Sequence, residues 1–157
     1  MQKIVTHLWF DTQAEEAAKF YTSIFKSSKI NRVSHFEIPG NQPGTASTVE
    51  FELEGQTFYA LNAGPMFKFN EAISLFVNCK DQAEIDEKWE KLLAGGGKPQ
   101  HCGWLKDRYG LSWQIVPVAL GDLMADANPK KAKAVMTALL QMVKLDIAAL
   151  KRAYDQA

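Results

Sequence analysis

The sequence predicts an α+β fold in which two βαβββ units follow one another and a helical tail closes the chain. Three observations lead there. Short apolar or alternating runs bounded by turn residues flank two stretches with helical periodicity. The string Gln13-Ala14-Glu15 returns as Gln82-Ala83-Glu84, and the elements around each copy follow the same order. After Pro117 the apolar residues recur at helical spacing instead.

Ile4 to Phe10 is rich in aromatic and β-branched residues and reads as a buried strand. Asp11-Thr12 offers capping chemistry for a helix over about 13–25, whose apolar face is Ala14, Ala17, Ala18, Phe20, Tyr21, Ile24 and Phe25. A second strand runs from Ile30 to Ile38 and ends in Pro39-Gly40-Asn41-Gln42-Pro43-Gly44, a loop signature. Thr48 to Leu53 alternates polar and apolar, Glu54-Gly55 turns, and Gln56 to Asn62 returns as its hairpin partner.

The second unit opens with an apolar strand, Ile73 to Cys79, and a helix over about 82–94 with Ala83, Ile85, Trp89, Leu92 and Leu93 on one face. Gly95-Gly96-Gly97 supplies the left-handed backbone that ends it. Strands Gln100–Leu105 and Leu111–Val116 enclose the turn Lys106-Asp107-Arg108-Tyr109-Gly110. The helices superpose at an offset of 69 (82 − 13), which lays Phe20 on Trp89 and Ile24 on Leu93. The closing strands superpose at 55 (110 − 55), so the first copy carries the longer middle. The tail follows as a turn over Gly121–Asp126, a helix capped by Asn128-Pro129 that runs to about Val143, and a helix capped by Asp146. The boundaries are 1–118 for the paired units (about 1–64 and 70–118) and 119–157 for the extension, which must pack on the domain or on a dimer partner.

Composition narrows the class of function. With 18 basic and 18 acidic residues the net charge is zero, which speaks against nucleic acid as a partner. No apolar run reaches the roughly 20 residues that span a bilayer, so no membrane role is expected. The opening Met1-Gln2-Lys3-Ile4-Val5 lacks a secretory pattern, and Cys79 and Cys102 form no CxxC pair; a reduced, cytoplasmic setting is the expectation.

The wording of the motifs is more specific. His7-Leu8-Trp9-Phe10-Asp11, Ala14-Glu15-Glu16-Ala17 and Phe20-Tyr21-Thr22-Ser23-Ile24-Phe25 resemble the PhnB-like branch of the glyoxalase, or vicinal oxygen chelate, superfamily. The run from Cys102 to Pro117 resembles that branch's second-half signature, and Met142 to Ile147 its tail. The branch carries a label of likeness to demethylubiquinone methyltransferases. The resemblance implies curved mixed sheets wrapped around a cavity, and a homodimer.

In metal-using members of the superfamily, four side chains on the first and last strands of the two halves hold one divalent ion. Carried onto this chain, those positions are Val5, Tyr59, Ser74 and Gln114, and only Gln114 is of a ligand type found there. A shift of register on the first strand would add His7. No cofactor is therefore expected, and if a divalent metal is present, Gln114 and His7 are its candidates. The ligand cavity is expected at His7, Trp9, Tyr59, Phe76, Trp104 and Gln114. His7 reads first as a buried strand histidine bonded to a neighbour and second as a cavity acid or base, with Glu50 as its candidate catalytic partner. Glu50 itself reads first as part of a solvated strand face. Asp107 and Arg108 read as a turn-stabilising carboxylate beside a solvated cation.

Three functions fit this picture. The preferred one is a small-molecule binder, enzymatic or sequestering, with a metal-free or degenerate cavity. The alternatives are a metal-dependent isomerase, dioxygenase or transferase, and a dimeric interaction module without ligand. Methyl transfer is disfavoured, because no glycine-rich turn opens the first helix as adenosylmethionine-binding doubly wound folds require.

Overall fold

A computed structural model describes residues 2–37, 39–40, 44 and 46–157. Ile38, Asn41, Gln42 and Pro43, assigned above to the end of the second strand and its loop, lie outside the described residues. The chain forms two compact units, Met1–Phe69 and Asn70–Ala157. Among the described residues no helix is long and apolar enough to cross a membrane.

The first unit contains β1 (Thr6–Phe10), α1 (Ala14–Ile24), β2 (Ser28–Phe36), β3 (Ala46–Leu53) and β4 (Gln56–Asn62), the βαβββ order the sequence predicts. The sheet order is β1-β4-β3-β2, with β1 parallel to β4 and the other pairs antiparallel. β1 is shorter than expected: Ile4 and Val5 precede it, and Ile4 is exposed. Glu54 and Gly55 both have positive φ, 48° and 84°, the backbone of a two-residue hairpin turn whose twist matches that of the strands.

The helix lies on one face of this sheet. Ala14, Ala17 and Ala18 are fully buried and let the α1 backbone approach closely, while Tyr21 stacks on Phe51 at 6.3 Å and Phe51 on Phe58 at 5.4 Å. Leu8, Phe10, Val49, Leu53 and Ala60 complete that core. The start of α1 differs from the expectation. Its N-cap is Gln13, with no side-chain capping bond, and neither Asp11 nor Thr12 supplies one. Asn62, at the far end of β4, does so across the sheet: its Oδ1 accepts from Ala14 N–H at 2.7 Å, and its Nδ2 donates to Thr12 O and Ser47 Oγ, each at 3.1 Å.

The second unit repeats the plan with β5 (Ser74–Cys79), α2 (Gln82–Leu93), β6 (Lys98–Pro99), β7 (Trp104–Lys106) and β8 (Ser112–Pro117), in sheet order β5-β8-β7-β6. Of the predicted strand over 100–105 only Trp104 and Leu105 are extended, in β7; the two-residue β6 precedes it, and residues 101–103 turn between them. Asp81 caps α2 by accepting from Glu84 N–H at 2.9 Å, and Glu84 Oε2 accepts in turn from Lys80 N–H at 2.8 Å. Gly95 and Gly96, with φ of 80° and 116°, end the helix as expected. Asp107 stabilises its turn, and from a buried position: it accepts from Tyr109 N–H, Leu111 N–H and the Trp113 indole at 2.8, 3.1 and 2.9 Å.

The tail belongs to this unit. It forms α3 (Val118–Met124), α4 (Pro129–Leu140, capped by Asn128) and α5 (Ile147–Asp155, capped by Asp146). The segment before α5 is tied to α2 and to the β6–β7 connection. Gln82 donates to Leu145 O and accepts from Ile147 N–H, Lys144 pairs with Asp86 at 2.6 Å, and Cys102 and Gly103 N–H donate to Met142 and Val143 O. Leu145 is fully buried there, against a glycine, Gly103, where a Cβ would meet it at 3.0 Å.

Asn62 carries a testable share of the first unit's stability. Asn62→Ala removes the cap of α1 and leaves buried polar groups unpaired, which costs about 1–3 kcal/mol; urea denaturation followed at both units will show a lowered midpoint for the first, whereas an unchanged midpoint removes this role.

Candidate functional site

In a strand, neighbouring side chains point to opposite faces, so the burial of Leu8, Phe58, Val49 and Phe51 under α1 assigns the odd face of β1 and its partners to the other side of the sheet. The pairing register then aligns one residue from each strand into a single rank. His7 on β1 is opposite Tyr59 on β4, Tyr59 is opposite Glu50 on β3, and Glu50 is opposite Arg32 on β2. A second rank runs parallel to it through Trp9, Leu61, Thr48 and Ser34.

Together these ranks form a cleft of about 280 Å³ lined by His7, Arg32, Ser34, Thr48, Glu50 and Tyr59. His7 is exposed and meets the Tyr59 ring edge-on, with centroids 6.0 Å apart and planes at 84°. This corrects the first reading of His7, a buried strand histidine. Its strand has one face under the helix, and His7 is on the other. Glu50 is half-buried. Its Oε2 stands 3.8 Å from Arg32 Nη2, and its Oε1 accepts from Asn31 Nδ2 at 3.5 Å. The structure thus brings together three of the expected site residues, His7, Glu50 and Tyr59.

Arg32 was not among them, and its absence has a physical cause. Ile30 is opposite the buried Phe51, so simple alternation would carry Arg32 onto the helix side, opposite Val49. A register shift between Ile30 and Arg32 inserts one residue and places Arg32 opposite Glu50. The same bulge leaves Asn31 within reach of Glu50 and Glu52. Ser34 follows Arg32 onto the cleft face. Trp9 shares the face of His7 but is engaged elsewhere: its indole N–H donates to Gly64 O at 2.9 Å and its ring lies 4.9 Å from Phe67.

The second unit has the equivalent rank at the offsets already derived. Adding 69 to His7 gives Phe76, and adding 55 to Tyr59 gives Gln114; these two are opposite each other, and Trp104 of β7 is opposite Gln114. Gln114 Nε2 donates to Ser74 Oγ at 2.9 Å, and Phe76 is 53% exposed. The three remaining expected cavity residues, Phe76, Trp104 and Gln114, are therefore neighbours on one sheet.

The superfamily's metal positions supply here an isopropyl group, a phenol, a hydroxyl and a carboxamide (Val5, Tyr59, Ser74 and Gln114). That set has no carboxylate, imidazole or thiolate, and the Ser74 hydroxyl is already bonded to Gln114. These residue types are poor donors for a divalent ion. Among the described residues no group of three or more His, Cys, Asp or Glu side chains is placed to hold one.

Comparison with known proteins agrees with this architecture. A family model described as 3-demethylubiquinone-9 3-methyltransferase matches residues 2–116. The PhnB protein of Bacillus cereus is 36% identical, with a TM-score of 0.67 over 74% of this chain and 100% of that one. A crystallised protein from Pseudomonas aeruginosa is 19% identical, with a TM-score of 0.62 over 74% and 98% of the two chains. The fosfomycin resistance protein FosX of Mesorhizobium loti, 11% identical with a TM-score of 0.51 over 76% and 96%, shares the fold. No curated protein matches the chain at a significant level.

Neither cysteine adds a nucleophile to the cleft. Cys79 closes β5 in a fully buried position, and burial, helped by the nearby Glu84 carboxylate, pushes its thiol up to about 12. Cys79 will stay unmodified by a thiol reagent at pH 8 in the folded protein and react once the second unit is denatured; rapid labelling of Cys79 in the native state, read by peptide mass mapping, would contradict its burial.

Proposed function

The chain belongs to the 3-demethylubiquinone-9 3-methyltransferase family, the PhnB-like branch of the glyoxalase superfamily, and on that footing we propose that it binds a small organic molecule in the cleft on the open face of β1-β4-β3-β2, without help from a metal ion. The observation that carries this reading is the rank His7–Tyr59–Glu50–Arg32. Four chemically different side chains stand in register across four strands, on the one face of the sheet that α1 leaves uncovered. Small-molecule sites combine aromatic walls with a few convergent polar groups, and at about 280 Å³ this cleft suits a ligand of metabolite size.

The donor set supports the reading of metal independence. A cleft with one imidazole and one carboxylate, the latter already facing a guanidinium, supports hydrogen bonding and charge pairing better than chelation. Methyl transfer, named in the family's description, is not extended to this chain. The turn after β1 is Asp11-Thr12-Gln13, which has no glycine to admit a nucleotide close to the backbone. His7 and Glu50 are the groups available for proton transfer to a bound ligand, so the site has the residues for acid–base chemistry as well as for sequestration.

Screening the intact protein against a metabolite library by amide chemical-shift mapping tests the proposal. Hits will perturb His7, Arg32, Thr48, Glu50 and Tyr59, and Tyr59→Ala will weaken them about tenfold or more. Protein purified without chelator will carry substoichiometric zinc, nickel, manganese and iron. Hits that map away from this sheet face, or a stoichiometric ion whose removal abolishes binding, would overturn it.

A further inference from the structure

The cleft is polarised along its rank, and this division identifies a class of ligand. Its β1–β4 side is aromatic: His7 and Tyr59 meet edge to face, and Tyr59 is 36% exposed, which leaves ring surface open to a guest. Leu61, in the neighbouring rank, follows on the same face. Its β3–β2 side is charged and hydroxylated, with Glu50, Arg32, Thr48 and Ser34. Here an anion and a cation stand side by side with capacity to spare. Glu50 Oε1 receives Asn31 at 3.5 Å and Oε2 faces Arg32 at 3.8 Å, both at or beyond the outer limit of a hydrogen bond. A carboxylate accepts about four hydrogen bonds and a guanidinium donates five, so this pair keeps much of its capacity facing the cleft.

We propose that the ligand is a small zwitterion of the amino-acid type, with an ammonium and a carboxylate on neighbouring atoms and an aromatic or apolar side group. This rests on the reading of the cleft as the binding site. The ammonium donates to Glu50, the carboxylate accepts from Arg32 with Ser34 and Thr48 in support, and the side group lies against Tyr59 and His7. The charges match without residue: a net anion would meet Glu50, a net cation would meet Arg32, and each would leave one protein charge without a counterpart on the ligand. A zwitterion presents both charges at once, a few atoms apart, to a pair separated by 3.8 Å. Charge-assisted hydrogen bonds of this kind are about twice as strong as neutral ones, which makes the head group the source of selectivity and the ring the source of area.

Three probes of equal ring size test the class: L-phenylalanine, phenethylamine, which keeps only the cation, and 3-phenylpropionate, which keeps only the anion. Calorimetric or NMR titration of the full chain should find L-phenylalanine about tenfold or more tighter than either truncated probe. Glu50→Gln should weaken L-phenylalanine and phenethylamine while sparing 3-phenylpropionate, and Arg32→Gln should weaken L-phenylalanine and 3-phenylpropionate while sparing phenethylamine. Arg32 is exposed and Glu50 half-buried, both on the sheet face that α1 leaves uncovered, so the fold is expected to tolerate both changes, and unchanged thermal unfolding verifies it. Equal affinity for all three probes, no binding of L-phenylalanine, or variants that leave the preference intact would overturn the class. If library hits still map to this face in that case, the cleft stands as a site and only the zwitterion is lost.

Discussion

Packing of α1 on one face of the first sheet is the constraint on which the rest of that unit depends. Ala14, Ala17 and Ala18 bring the helix backbone close, and Tyr21, Phe51 and Phe58 fill the layer between. Because the side-chain period of a strand is two, this commitment fixes both faces at once. Phe58 under the helix requires Tyr59 in the cleft, and Val49 and Phe51 under the helix require Glu50 between them to face outward. A slip of one residue in β3 or β4 would bury Glu50 and Tyr59 and expose Phe51 and Phe58. Burying an unpaired carboxylate costs several kcal/mol, so the register is strongly determined.

Two irregularities turn this regular sheet into a site. The bulge after Ile30 moves Arg32 from the helix side to the cleft side, where it meets Glu50. Asn62, at the end of β4, caps α1 from across the sheet and joins Thr12, Ala14 and Ser47 in one buried polar cluster. The second unit keeps the topology without these features. Its equivalent rank, Phe76–Gln114–Trp104, is aromatic and amide in character, and its helix is capped locally by Asp81. Duplication has preserved the strand order and the buried helix faces, while the open faces have taken on different chemistry.

Much of this was legible in the sequence. The element order, the repeat offsets, the buried helix faces, the glycine stop after α2 and the caps of α4 and α5 are local signals, each written within a few residues. His7 and Glu50 were legible as site candidates from their residue types and the alternation within their own strands, and Tyr59 from the resemblance; their shared rank comes from the strand pairing. What escaped was non-local. Arg32 is displaced by a bulge that nothing in Ser28–Phe36 announces, Asn62 acts on a helix 48 positions earlier in the chain, and the exposure of His7 depends on which face the helix covers. The metal positions could be placed from the resemblance alone.

The claim that the two faces of the first sheet have separate duties is tested most directly by one adjacent pair of substitutions. Phe58→Ala and Tyr59→Ala differ by a single position on β4 and truncate rings of similar size. Their stabilities, measured by urea denaturation of the first unit, should diverge: about 3–5 kcal/mol lost for Phe58→Ala, whose ring is enclosed by the helix layer, and within about 1 kcal/mol of the parent for Tyr59→Ala. Equal losses at the two positions, or the larger loss at Tyr59, would contradict the assignment of faces on which the cleft is built.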